Sequence, residues 1–202
     1  NNEIMTLEIS NLGYSESITT GLLVAADGSQ SLVRSLADIR INKYDFGQTA
    51  IVANVTTQKP NQSTAYERFT HHGPVAFLPI GKNRSVLIFT IATKDKNRYM
   101  SMADSQFIDG VETEFGRRLG KLEKIGQRRS YPIMFIEAVE QYQQQLILLG
   151  NAAHSIHPNS AQGFNLGLRD VAGLAECIFE AIEKGLNVDD ISILEKYVSL
   201  RL

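Results

Sequence analysis

The sequence predicts a mixed α/β fold of the α+β kind, an α/β layer interrupted by an inserted, mostly antiparallel β-sheet. Three observations carry this. Two short apolar runs, Leu22–Ala26 and Leu146–Leu149, each end at a glycine-containing turn that leads towards a helical pattern, as strands covered on both faces do. Between them, apolar stretches are punctuated by Gly73-Pro74 and Gly81-Lys82-Asn83, the pattern of a meander. The C-terminal quarter carries apolar residues three and four apart, as helices do. Residues 1–38 and 141–202 then form one unit, and 39–140 the inserted one.

Taken in order, residues 3–9 alternate like a strand, Asn11-Leu12-Gly13 gives a turn, and Ile18–Ala26 gives a second strand. Asp27-Gly28-Ser29 leads into a short helix, Ser31–Leu36. Strands follow at Phe46–Thr57, Ala65–His71, Val75–Ile80 and Ser85–Ala92. A helix with Asp104 as N-cap buries Phe107, Ile108, Val111 and Phe115 and stops at Gly116 or Gly120. Lys121–Tyr131 reads as a further strand with Pro132 at its end. After the apolar run at Leu146, a long helix extends from about Phe164 to Gly185, with Leu168, Val171, Leu174, Ala175, Ile178 and Ile182 on its buried face. Asp189 caps a last helix carrying Ile193, Leu194 and Tyr197. Both ends of the chain fall inside such patterns and look cut.

Bulk properties narrow the function. The chain has 202 residues and a net charge of −2, so electrostatics offer nothing for nucleic acid or an anionic membrane. No apolar run approaches the ~20 residues of a membrane span. The single cysteine, Cys177, excludes an intrachain disulfide, fits a reducing compartment, and lies on an apolar helix face as a packed thiol.

Three stretches can carry chemistry. Asp27, at a strand's carboxyl end, and Arg34, one turn into the next helix, can meet a ligand or serve as a helix cap and a surface arginine. Leu146–Asp170 is strand, polar loop and helix N-terminus, the arrangement that binds anions. Its His154 and His157 have neither metal-pair spacing nor accompanying cysteines or acids, and no G-x-S-x-G elbow supports a hydrolase. Arg169 and Asp170 are adjacent on a helix, point apart and carry no assigned role. His71-His72 reads as a solvated turn, with Glu67 and Arg68 on opposite faces of one strand.

Together, DGSQSLVR after an apolar strand and LLGNAAHSIHPNSAQGFNLGLRD beyond the insertion resemble the flavoprotein aromatic hydroxylases of the p-hydroxybenzoate hydroxylase fold. The intervening YERFTHHGPVAFLPIGKNRSVLIFT and Phe115–Lys121 are similar to a narrower group, the ubiquinone-biosynthesis hydroxylases, most of all the 2-octaprenyl-6-methoxyphenol hydroxylase group. By this resemblance 1–38 with 141–202 is a partial FAD-binding domain and 39–140 a substrate-binding sheet domain. Asp27, Gly28 and Arg34 match the Asp-Gly motif near FAD, which is implicated in NAD(P)H binding. Gly150, Asn151, His154, Pro158, Gln162, Gly163, Phe164 and Asn165 match the Gly-Asp motif that holds the flavin's ribityl chain and continues into the helix beneath its ring. Asn151 replaces the usual aspartate and Ala161 the usual glycine.

The resemblance implies a flavin-dependent monooxygenase hydroxylating a prenylated phenol with O2. It also implies a cytoplasmic location, at most peripheral to the inner membrane, and contact with other quinone-biosynthesis proteins. Phe46, Val52, Val75, Phe77, Leu87 and Phe89 would line an apolar substrate wall or form core, at least half of them core. No catalytic acid or base can be named. The family's G-x-G-x-x-G turn is absent from the sequence, so the expectation is the middle of a longer hydroxylase that alone holds FAD weakly or not at all. Two alternatives stay open. One is a non-catalytic scaffold or assembly subunit, to which Asn151, Ala161 and the missing turn would point. The other is a different flavoprotein of the same fold, such as an epoxidase or a prenyl reductase.

Overall fold

A computed structural model describes residues 5–11, 13–158 and 162–201. The chain divides into two compact units, 1–44 with 134–202, and 45–133. The insertion is therefore shorter at both ends than the 39–140 expected.

Strands β1 (Met5–Asn11) and β2 (Tyr14–Thr20) form an antiparallel hairpin, Met5 opposite Thr20 and Asn11 opposite Tyr14. The single strand expected over Ile18–Ala26 is broken at Gly21. There the Thr20 hydroxyl donates to the Leu22 carbonyl and accepts from the Leu22 N–H, bracketing a bend. Leu23–Ala25 becomes β3, in a different sheet. Helix α1 (Leu32–Leu36) starts at Ser31, whose hydroxyl oxygen accepts from the Arg34 N–H.

The 45–133 unit is a meander. Strands β4 (Ile41–Thr57), β5 (Tyr66–Thr70), β6 (Gly73–Gly81) and β7 (Arg84–Ala92) lie in the order β4-β7-β6-β5, each pair antiparallel. The turn between β5 and β6 is His71-His72, and Pro74 lies within β6. Gly73 holds a φ of 128°, and a Cβ there would meet Thr90 Cγ2 at 2.5 Å, so both backbone and space require glycine. Helix α2 (Lys96–Ser101) follows a 3₁₀ turn that the sequence did not signal. Helix α3 (Asp104–Phe115) begins after Ala103 as N-cap, so Asp104 is its first residue and pairs with Arg128 at 3.3 Å. It buries Phe107, Val111 and Phe115 against one face of the sheet and ends at Gly116.

Strand parity sorts the six candidate wall residues. Val75, Phe77, Leu87 and Phe89 face α3 in the core with Ile51 and Val55. Val52 points to the other face, in a cross-strand row with Ile88 and Ala76. Phe46 is partly exposed. The strand expected over Lys121–Tyr131 splits in two. β8 (Leu122–Ile125) pairs with β4, and β9 (Arg129–Ala138) begins after a break and contains Pro132. At the break Arg128 donates to the Tyr99 and Met102 carbonyls and lies over the Phe107 ring.

The other unit resumes with β10 (Tyr142–Gln143), β11 (Leu146–Leu148), β12 (His154–Ser155), α4 (Gly163–Glu183) and α5 (Ile191–Arg201). β11 is the centre of a three-stranded sheet, antiparallel to β10 and parallel to β3. α4 and α5 pack on it through Leu174, Cys177, Ala181, Ile193, Leu194 and Tyr197. The helix α4 is rotated from the expected phase. Leu168, Val171 and Ile182 are exposed, and Asp170 lies on the buried face. The final helix is capped by Asp190, not Asp189, through the Ser192 N–H and hydroxyl.

Candidate cofactor site

The two apolar strands run parallel, so their carboxyl ends open on one edge of the sheet, where α/β folds take ligands. A groove of about 450 Å³ lies there. One side is Ala26, Gly28, Leu149, Gly150 and Asn151; the other is the start of α4, with Gly163, Phe164, Gly167, Leu168 and Val171. Gly150 has a φ of 54° and begins a 3₁₀ turn. It lies back to back with Gly167, whose added Cβ would sit 3.6 Å from the Gly150 Cα. Among the described residues, a Cβ on Gly28 or Gly163 would meet nothing within 4 Å. The groove is thus bare backbone in the places where a flat, wide ligand needs close approach.

The N-terminus of α4, with Gly163 and Phe164, forms part of the groove's wall. Gln162 supplies no side-chain cap, and the first turn has no acidic residue. A helix of 21 residues then favours an anionic group at that end by roughly 0.3–2 kcal/mol.

Behind the groove lies Asp170, 1% exposed. Its Oδ2 accepts from the Gly150 N–H at 3.0 Å and from His154 Nε2 at 2.8 Å. A carboxylate only accepts, so Nε2 carries the proton. Arg201 Nη2, from the last turn of α5, lies 2.6 Å from Oδ1 as an ion pair. It lacks hydrogen-bond alignment, and among the described residues Oδ1 and Arg201 Nε have no aligned partner. Burial, then the Asp170 charge, pushes the neighbouring Tyr197 phenol well above its ordinary range.

The Asp-Gly stretch divides its roles. Asp27 is exposed and accepts from the Val33 N–H at 3.1 Å, acting as an outer cap on α1. Burial raises its pKa, but hydrogen bonds from Ser31 and from backbone N–H groups outweigh this and hold it below the usual value. Arg34 is neither a surface residue nor aimed at an anion. It is 5% exposed, and Nη1 and Nη2 donate to the carbonyls of Ala152 and Ser29. It clamps the Asp-Gly loop to the turn after Gly150.

Of the eleven residues singled out in the sequence, Gly28, Gly150, Asn151, Gly163 and Phe164 line the groove. Gln162 and Asn165 are exposed at the first turn of α4, and Pro158 is exposed in the preceding loop. His154 turns to Asp170, and Asp27 and Arg34 serve α1 and the clamp. Ala161 lies outside the described residues. Sequence reasoning missed Gly167 and Asp170. The signal was available: a glycine inside a helix costs about 1 kcal/mol and needs a packing reason, and Asp170 follows it by three positions, close to the same face.

A family model described as an FAD binding domain matches residues 5–201. The chain belongs to the FAD binding domain family. Within the curated members it is 36% identical over 192 residues to ubiquinone hydroxylase UbiL of Rhodospirillum rubrum, covering 95% of this chain and 45% of that protein. It is 29% identical over 187 residues to 3-demethoxyubiquinol 3-hydroxylase of Escherichia coli, covering 93% and 48%. The chain spans about half the length of the curated relatives it matches. Among solved structures, the flavin-dependent halogenase CmlS superposes with a TM-score of 0.80 at 16% identity, over 100% of this chain and 38% of that one. The p-nitrophenol 4-monooxygenase PnpA of Pseudomonas putida gives 0.75 at 18%, over 98% and 49%. These neighbours share the FAD binding domain's fold.

Proposed function

We propose that the protein carrying this chain is a flavin-dependent monooxygenase that hydroxylates a prenylated phenol in ubiquinone biosynthesis, with NAD(P)H as electron donor. The observation that carries this is the glycine-lined groove at the carboxyl ends of β3 and β11, with the N-terminus of α4 in its wall. Bare backbone at Gly28, Gly150 and Gly163 fits a broad ring and its ribityl chain. FAD, when bound, supplies oxygen activation and transfer to the phenol ring.

The chain's own residues position and polarise. N–H groups at Gly163–Asn165 favour negative charge on the flavin's pyrimidine edge. The Asn151 carboxamide can accept from a ribityl hydroxyl through its oxygen, as an aspartate would. Phe164, 80% exposed on the helix, covers one lip of the groove, and Pro158 would lie beside the reacting edge and help exclude water. The sheet face opposite α3, with its row Val52–Ile88–Ala76, offers an apolar wall for a prenyl tail. A prenylated substrate fits peripheral contact with the inner membrane and hand-over among quinone-biosynthesis proteins. Among the described residues no helix is long and apolar enough to cross a membrane.

The test is complementation of a quinone-deficient host by the intact gene, paired with mass spectrometry of the hydroxylated product and flavin absorbance of the purified protein. Rescue should fail when Gly163 is replaced by a bulky residue. Rescue by a variant that carries no flavin would replace this reading with that of a non-catalytic assembly subunit.

A further inference from the structure

Asp170 touches neither groove wall from the inside, yet three segments distant in sequence converge on it. Its backbone belongs to α4, the helix that forms one wall. Its Oδ2 holds the Gly150 N–H, the first donor of the turn that forms the opposite wall. The same oxygen holds the His154 ring on β12, where the chain leaves that turn. Its charge is matched by Arg201, at the far end of the chain. Where the walls approach below it, Gly150 meets Gly167, two residues with no side chain to set a spacing. The bonds to Asp170 tie the two walls together through a side chain.

We propose that Asp170 is the positioning residue of the flavin groove: with Arg201 as its counter-charge, it draws the Gly150 turn and His154 onto α4 and so sets the groove's width and the aim of the Gly150–Asn151 backbone. The proposal rests on the groove being the flavin site. It makes the last turn of α5, outside the groove, part of the cofactor's support. Asparagine at 170 keeps the shape, and its carbonyl oxygen in the place of Oδ2 still accepts from Gly150 and His154, but as a neutral, weaker acceptor, and its NH2 group replaces the oxygen that faces Arg201. It also leaves the Arg201 charge unmatched in a buried place.

The experiment uses the full-length protein with D170N, R201M and the double variant. The readouts are FAD dissociation constant by fluorescence quenching, visible circular dichroism of the bound flavin, flavin midpoint potential, and melting temperature. The expected result is a dissociation constant raised about tenfold or more in D170N, with altered flavin dichroism and a shifted potential, all measured well below the melting temperature. R201M should move the same readouts in the same direction, and the double variant should fall short of the sum, since both act through one contact. If D170N does not fold, R201M and its flavin spectrum carry the test. Variants that lower only the melting temperature, with FAD affinity, dichroism and potential as in the parent, would make Asp170 a structural residue and overturn the proposal. Independent, additive effects would overturn the Arg201 coupling. A parent protein that takes up no FAD would instead bring down the flavin reading itself, a result distinct from either.

Discussion

Replacing Gly163 by leucine separates the groove from the fold. Gly163 is the first residue of α4, and a Cβ built there meets no atom of the described residues within 4 Å. The side chain therefore enters the groove and touches little else. Glycine in a helix costs up to about 1 kcal/mol against a good helix former, and less in the first turn. The variant should be as stable as the parent or slightly more so, a change of at most about 2–4 °C in melting temperature for a chain of this size. A leucine in the groove takes the space that the glycine leaves for a ring. FAD affinity should drop at least about tenfold, or about 1.4 kcal/mol. In the full-length protein, circular dichroism gives the melting temperature of the apoprotein, and flavin fluorescence quenching gives the dissociation constant. Unchanged FAD affinity in a stable variant would refute the assignment of the groove. A fall of ten degrees or so would refute the claim that the space at Gly163 is open.

Other outcomes follow from single contacts. Phe107→Ala removes a fully buried ring packed edge-on against Phe89 and beneath Arg128, and should cost about 3–5 kcal/mol in urea unfolding. Asp27 has a lowered folded pKa, so its carboxylate contributes stability above the unfolded value of about 3.8, and that contribution is lost as pH falls through the lower folded value. Asp27→Asn should therefore flatten the acid limb of the stability profile, read by thermal melts from pH 2 to 6. Cys177 is buried, and desolvation raises its pKa. It should resist iodoacetamide at pH 8 in the native protein and react once urea unfolds it, as peptide mass spectrometry would register.

Elements whose residues decide their own conformation were legible in the sequence. The β5–β6–β7 meander follows from alternation and turn residues, and α3 follows from Phe107, Val111 and Phe115 with a glycine stop. Errors arose where two signals competed. The run through Leu22 and Leu23 looks like a continuation of β2, but Gly21 bends the chain and hands Leu23–Ala25 to another sheet. α4 carries apolar residues on two faces, so periodicity alone cannot choose between Leu168–Val171–Ile182 and Leu174–Cys177–Ala181. At the groove, glycines were visible because each marks a backbone need within its own segment. Asp170 and Arg34 were misjudged because their partners, Gly150, His154 and Arg201 for the one and Ala152 for the other, come together only in the folded chain. A charge's burial cannot be read from its neighbours in sequence.

The parallel pairing of β3 with β11 has a kinetic consequence. The partners are about 120 residues apart, so the central sheet of the cofactor unit cannot form on a growing chain until the whole insertion has been synthesised. Until then Leu23–Ala25 is an apolar segment without its neighbour. The insertion has its own hydrophobic core and mostly local antiparallel pairings, so it can collapse first and shorten the effective loop between the two strands. Early folding of the meander would then shorten the search that joins the two strands.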